Sequence, residues 1–167
     1  MGQITLSVEI AAPANLVGAL FIPQRMPYWY GEEMDCRFEV QRGASEFQAG
    51  LKVKIIGQLA KREVSLVAVV TQYQRGRLLE WRFRDSYGVS GMQRWEIRPE
   101  GKGARVLLRD EYELPGRFGK FWDRIFTQYA VRARDRRDLE RLKRTAEQAG
   151  GAVAARAETR GAKAAQE

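Results

Sequence analysis

Residues 114–147 read LPGRFGKFWDRIFTQYAVRARDRRDLERLKRTAE, and this stretch decides the fold. A Pro115-Gly116 break opens it, and the thirty-odd residues after the break hold no proline and one glycine, Gly119. Phe118, Phe121, Trp122, Ile125, Phe126 and Tyr129 recur at a spacing that lays a broad aromatic face along one side of a helix. Such a face needs a large partner. From Arg132 onward the face turns basic, and Leu139 and Leu142 are left as apolar anchors.

The preceding chain supplies the partner as strands. Ile4, Leu6, Val8 and Ile10 alternate with polar residues, the period of a half-buried strand. Pro13 suits the first turn of a short helix carrying Leu16, Val17, Leu20 and Phe21, and residues 24–30 form a second helical turn or ordered loop. Strand patterns continue at Met34–Val40, Leu51–Ile55, Val64–Tyr73, Leu79–Phe83, Val89–Arg98 and Arg105–Glu113. Val64–Tyr73 is the most uniformly apolar and is expected to lie centrally. Short turns such as Arg75-Gly76 join the strands, so the sheet is antiparallel. Most strands carry one charged face, so one side of the sheet meets water. The C-terminal helix is the one element long enough to cover the other side. The expected class is α+β: seven antiparallel strands, two short helices after strand 1, and a long C-terminal helix.

Composition narrows the chemistry. The 167 residues contain no histidine and one cysteine, Cys36. That removes Ser-His-Asp and Cys-His triads and every histidine-containing metal site, and it leaves Cys36 as a small packing residue. No metal or other cofactor is assigned. The N-terminus lacks the basic start and apolar core of a signal peptide, and no apolar run is long enough to span a membrane. With no partner for Cys36, a cytoplasmic location is expected. The net charge is +8, and residues 117–147 hold ten Lys/Arg against five Asp/Glu, contributing five of the eight. The interleaved acids argue against a continuous phosphate track, so nucleic acid ranks last among partners. The Gly101-x-Gly103 loop joins two strands and opens no helix, so it lacks the geometry of a phosphate cradle. Residues 148–167, rich in Ala and Gly, are expected to form a disordered tail, or a frayed helix at best, after a domain of residues 1–147.

The motifs carry a resemblance. Ile10-Ala11-Ala12-Pro13, Pro27-Tyr28-Trp29, Gly50-Leu51-Lys52-Val53, Leu79-Glu80-Trp81-Arg82-Phe83 and Trp95-Glu96-Ile97-Arg98-Pro99 are joined by Gly103-Ala104-Arg105-Val106, by a Glu111-to-Gly116 corner, and by Leu139-Glu140-Arg141-Leu142-Lys143 with Ala146-Glu147. Over residues 3–147 this resembles the SRPBCC or START-like helix-grip superfamily, and most closely its polyketide cyclase/dehydrase-like group. The resemblance implies a curved sheet wrapped around the long helix with a hydrophobic pocket between them. Its members cyclise, hydrolyse, transport or sense, and no family catalytic residue is recognisable in this chain.

Candidate site residues come from the inward faces. Gln93 and Asp110 are polar residues at apolar positions; burial would raise the Asp110 pKa, making it a weak candidate for proton transfer, against the alternative of pairing with an arginine. Trp81, Phe83, Trp95 and Tyr112 share the inward face with Trp122 and Tyr129, either as a ligand pocket or as core, and Trp29 with Met26 is placed at the pocket lip. Arg132 and Arg136 either meet an acidic ligand group, or stay solvated or pair with Asp135, Asp138 or Glu140 along the helix. Three functions are open: binding of a small hydrophobic molecule (lipid, polyketide or quinone-like), a cyclase, dehydratase or hydrolase in the same cavity, and an interaction module using the basic helix.

Overall fold

The computed structural model describes residues 2–31, 35–59, 62–115 and 122–164. Seven strands, β1 (Gly2–Ile10), β2 (Arg37–Val40), β3 (Lys52–Leu59), β4 (Arg62–Gln74), β5 (Leu78–Asp85), β6 (Ser90–Glu100) and β7 (Gly103–Glu113), form one sheet. Helix α1 (Ala14–Gly18) comes after β1, and helix α2 (Trp122–Ala164) comes after β7. The strand order is β1-β7-β6-β5-β4-β3-β2, antiparallel throughout. β4 is interior, one place from the central β5. Its register shifts between Val70 and Gln72, leaving Thr71 as an extra residue that bends the strand.

One close contact fixes how α1 meets the sheet. The β4–β5 turn needs a left-handed residue, supplied by Gly76 at φ 70°. α1 then packs onto that turn so closely that a Cβ on Gly18 would collide with Gly76 Cα.

The cover of the sheet is shared, where the sequence assigns it to the C-terminal helix alone. Phe21, Met26, Trp29 and Tyr30, from the segment between α1 and β2, are buried over the middle of the sheet. The Tyr30 ring meets Trp81 edge-on at 5.7 Å and Trp95 at 6.0 Å, while Trp29 packs on Phe21 at 4.9 Å. Rings from this segment therefore fill space the helix does not reach. α2 covers the β1 side through buried Leu139, Leu142 and Ala146. Polar contacts hold it there. Lys143 Nζ donates to the Glu9 carbonyl at 2.7 Å, the Ala11 N–H donates to Glu147 Oε1 at 2.8 Å, and Arg141 Nε donates to the Tyr28 carbonyl at 2.7 Å.

The helix differs from expectation at both ends. Much of the aromatic face, Phe118, Phe121 and the side chains of Trp122, Ile125 and Phe126, lies outside the described residues. Tyr129 is 76% exposed, so its ring is no pocket wall. At the other end α2 continues beyond Glu147 to Ala164, where a disordered or at best frayed tail is expected. Alanine, the strongest helix former, supplies seven of residues 148–164 and outnumbers the three glycines, which lets the extension propagate from a helix already nucleated. Among the described residues no helix is long and apolar enough to cross a membrane.

Candidate functional site

A cavity of about 650 Å³ lies between the sheet and α2. Ile55 and Gly57 of β3 with Val64 and Leu66 of β4 form its floor. Ala130, Val131, Arg134 and Asp138 of α2 form the opposite wall, and Tyr30, Gly31 and Cys36 close one end. Arg137, Glu140 and Arg144 stand exposed at the rim. The floor is apolar because alternate residues of β3 and β4 face inward. The helical wall is polar because the buried stripe Leu139, Leu142, Ala146, extended one turn back, reaches Asp138 and Asp135.

Behind that wall runs a buried polar chain. Gln93 Oε1 accepts from the Tyr30 hydroxyl at 3.0 Å and from Trp81 Nε1–H at 3.2 Å. Gln93 Nε2 donates to Asp110 Oδ2 at 2.8 Å. Arg134 Nη2 donates to the same Asp110 oxygen at 2.7 Å and to Asp135 Oδ1 at 2.8 Å, with Nε reaching Asp135 Oδ1 at 3.0 Å. Asp138 Oδ1 accepts from the Gly31 N–H at 2.9 Å. Arg134 keeps 30% of its side chain accessible, and it is the member of the ion-paired trio that reaches the cavity wall.

One guanidinium thus faces three carboxylates in a poorly solvated place. Desolvation pushes Asp110 up to about 7; the Arg134 charge opposes this and Asp135 reinforces it. Asp138 is likewise pushed up to about 7, first by burial, against the pull of Arg134 and the Gly31 N–H. Burial works against the Arg134 charge, but Asp135 and the other anions outweigh it and hold its pKa above the ordinary value. Burial also holds the Tyr30 phenol well above its usual range, so it remains a neutral donor. Among the described residues, Asp110 Oδ1 and Asp135 Oδ2 are buried without a hydrogen-bond partner. The Cys36 thiol is pushed up to about 11, chiefly by burial, and stays protonated at neutral pH.

The residues singled out from the sequence divide clearly. Gln93 and Asp110 are buried on inner strand faces, where alternation puts them, and both belong to the polar chain. Trp29, Trp81 and Trp95 are core: the Trp81 and Trp95 rings meet at 4.8 Å, and Tyr30 stands between them and the cavity. Met26 is fully buried and forms no lip. Phe83 and Tyr112 edge a smaller depression of about 320 Å³ beside Gly91 and Met92. Trp29, Trp81, Phe83, Gln93, Trp95, Asp110, Tyr112 and Tyr129 therefore all lie off the wall of the cavity under α2, and the Trp122 side chain lies outside the described residues. Arg132 and Arg136 are exposed, whereas Arg134 between them turns inward. Arg134, Asp135, Asp138 and Tyr30 were not legible as a site. The one signal for the two aspartates is their place on the backward extension of the Leu139–Leu142–Ala146 stripe.

The sequence of residues 1–147 matches the family described as polyketide cyclase / dehydrase and lipid transport. No curated protein matches the chain. Solved structures share the fold at low identity. The Zhui aromatase/cyclase from Streptomyces sp. R1128 aligns with TM-score 0.70 and 16% identity, covering 88% of this chain and 94% of its own. TTHA0849 from Thermus thermophilus aligns with TM-score 0.68 and 21% identity, covering 89% and 99%. Protein CV1439 from Chromobacterium violaceum aligns with TM-score 0.67 and 15% identity, covering 88% and 99%. A match over 147 of the 167 residues, on a seven-stranded sheet packed against one long helix, places the chain in the polyketide cyclase / dehydrase and lipid transport family.

Proposed function

We propose that this chain binds a small hydrophobic molecule in the cavity between β3, β4 and α2. The observation that carries this reading is the cavity itself. At about 650 Å³ it falls within the range of small-ligand sites, and it sets an apolar floor (Ile55, Val64, Leu66) against a wall with a few fixed polar groups. Family membership supports a ligand-binding or cyclase role without naming the ligand. The test is titration with a neutral solvatochromic naphthalene probe. Wild type should bind it with a blue-shifted emission. Val64→Trp with Leu66→Trp, which narrows the floor, should weaken binding at least about tenfold while the circular dichroism spectrum is kept. Equal binding by both proteins refutes the reading.

A second reading, an enzyme of cyclase or dehydratase type, draws on Asp138. It lines the cavity, and a pKa of about 7 suits a group that takes and returns a proton at neutral pH. Asp110, the sequence candidate, stands behind Arg134 and off the cavity wall. Turnover of a polyketide-like substrate that Asp138→Asn leaves intact rules Asp138 out as the base.

A further inference from the structure

We infer that the cavity selects ligands whose polar end is a hydrogen-bond donor, a hydroxyl or an amine, and discriminates against carboxylates. This rests on the cavity-binding reading and deepens it.

The inference comes from how the polar groups of the wall are already committed. The Tyr30 hydroxyl donates to Gln93 Oε1. The Gly31 N–H donates to Asp138 Oδ1. Arg134 directs Nε and Nη2 to Asp135 and Asp110, so the donor it keeps open among the described residues, Nη1, belongs to a guanidinium already flanked by two carboxylates. Asp85 Oδ1, at the far side of the cavity, accepts from the N–H groups of Tyr87 and Val89 at 2.9 and 2.8 Å. Asp138 Oδ2, like Asp85 Oδ2, has no bond among the described residues, and the Asp138 side chain is only 6% exposed and lines the cavity. A carboxylate oxygen accepts and cannot donate, so a ligand meets it by donating.

Charge points the same way. Asp110, Asp135 and Asp138 surround Arg134, and above about pH 7 their negative charge exceeds its single positive one. A ligand carboxylate would add a fourth anion beside one cation, in a site that screens charge poorly. A hydroxyl adds none, and an ammonium supplies the missing counter-charge. The rim residues Arg137, Glu140 and Arg144 are exposed and mixed in sign, so solvent weakens their vote.

Three probes of one shape separate the cases: 1-naphthalenemethanol, 1-naphthylmethylamine and 1-naphthoate, titrated calorimetrically into the full chain at pH 8. The alcohol and the amine should bind at least about tenfold more tightly than the naphthoate. In Asp138→Asn the amine should lose about tenfold and the naphthoate should gain. The wild-type series stands even where the variant fails to fold. Equal affinity for all three, or tightest binding of naphthoate, overturns the inference and leaves the cavity reading in place. No binding of any probe overturns the cavity reading and the inference with it.

Discussion

Two arginine-centred networks lie on opposite faces of the same sheet. On the outer face Arg94 bridges Glu80 at 2.8 Å and Glu96 at 2.9 Å, Arg98 reaches Glu96 at 2.6 Å, and Thr71 Oγ1 donates to Glu80 at 2.6 Å. On the inner face Arg134 holds Asp110 and Asp135 at 2.7 and 2.8 Å with Asp138 nearby. The bond lengths are alike, yet the carboxylates respond in opposite directions. Burial pushes Glu80 up, but Thr71 and Arg94 outweigh it and hold it below its ordinary value; Arg98 and Arg94 do the same for Glu96. Asp110 and Asp138 rise to about 7. Two arginines and the Thr71 hydroxyl serve two glutamates outside, where Glu96 and Arg98 reach water although Glu80 is buried. One arginine serves three aspartates inside, largely without water. Stoichiometry and burial, not contact distance, set the sign.

The largest expected break is Arg134→Met. It leaves three carboxylates without a cation and should lower unfolding free energy by about 3–5 kcal/mol, read from the urea midpoint. A loss under about 1 kcal/mol would mean the aspartates are already neutral. Next comes Gln93→Leu, which strips the acceptor from Tyr30 and Trp81 and a donor from Asp110. A loss of about 2–3 kcal/mol is expected in the same measurement, from the buried groups left unpaired.

Titration sharpens the contrast further. Asp110 and Asp138 have native pKa values near 7, above the unfolded value of about 3.9, so the native state binds more protons between them. Their contribution is full below about pH 4 and is lost as pH rises toward 7. Glu80 and Glu96 run the other way: their contribution is present above about pH 4.3 and is lost as pH falls through their lowered values. Asp138→Asn should therefore flatten the decline in Tm between pH 5 and 8 and gain about 1–2 kcal/mol at pH 8. An unchanged slope contradicts this. The smallest effect belongs to Arg94→Ala, at about 1 kcal/mol or less, shrinking further in 1 M salt. A salt-insensitive loss as large as that of Arg134→Met would erase the distinction between the two faces.

The two faces were unequally legible. Period-two alternation exposes a strand directly, so β1 with Ile4 to Ile10 and β5 with Leu79, Trp81 and Phe83 could be drawn from residues alone. Gln93 and Asp110 stood out for the same reason, as polar residues in an apolar row. What lies above a face is a tertiary fact. Nothing local says that Tyr30 comes down on Trp81 and Trp95, so rings read as cavity wall proved to be core. On the helix, mixed charge hides direction: Arg132, Arg134 and Arg136 look alike in sequence, and two residues of displacement turn Arg134 from solvent to Asp110.

The anchoring of α2 has a mechanical consequence. Lys143, Glu147, Arg141, Asp138 and Arg134 tie it down from its middle toward its C-terminal side, and among the described residues Arg134 is the tie nearest its start. From Arg134 back to Trp122 the helix runs twelve residues, a lever arm of about 18 Å. A tilt of about 5° about that fulcrum carries the arm's tip by about 1.6 Å. The width of the space beneath that arm is thus geared to the stiffness of the bonds that Arg134 makes to Asp110 and Asp135, two residues set back from the cavity wall.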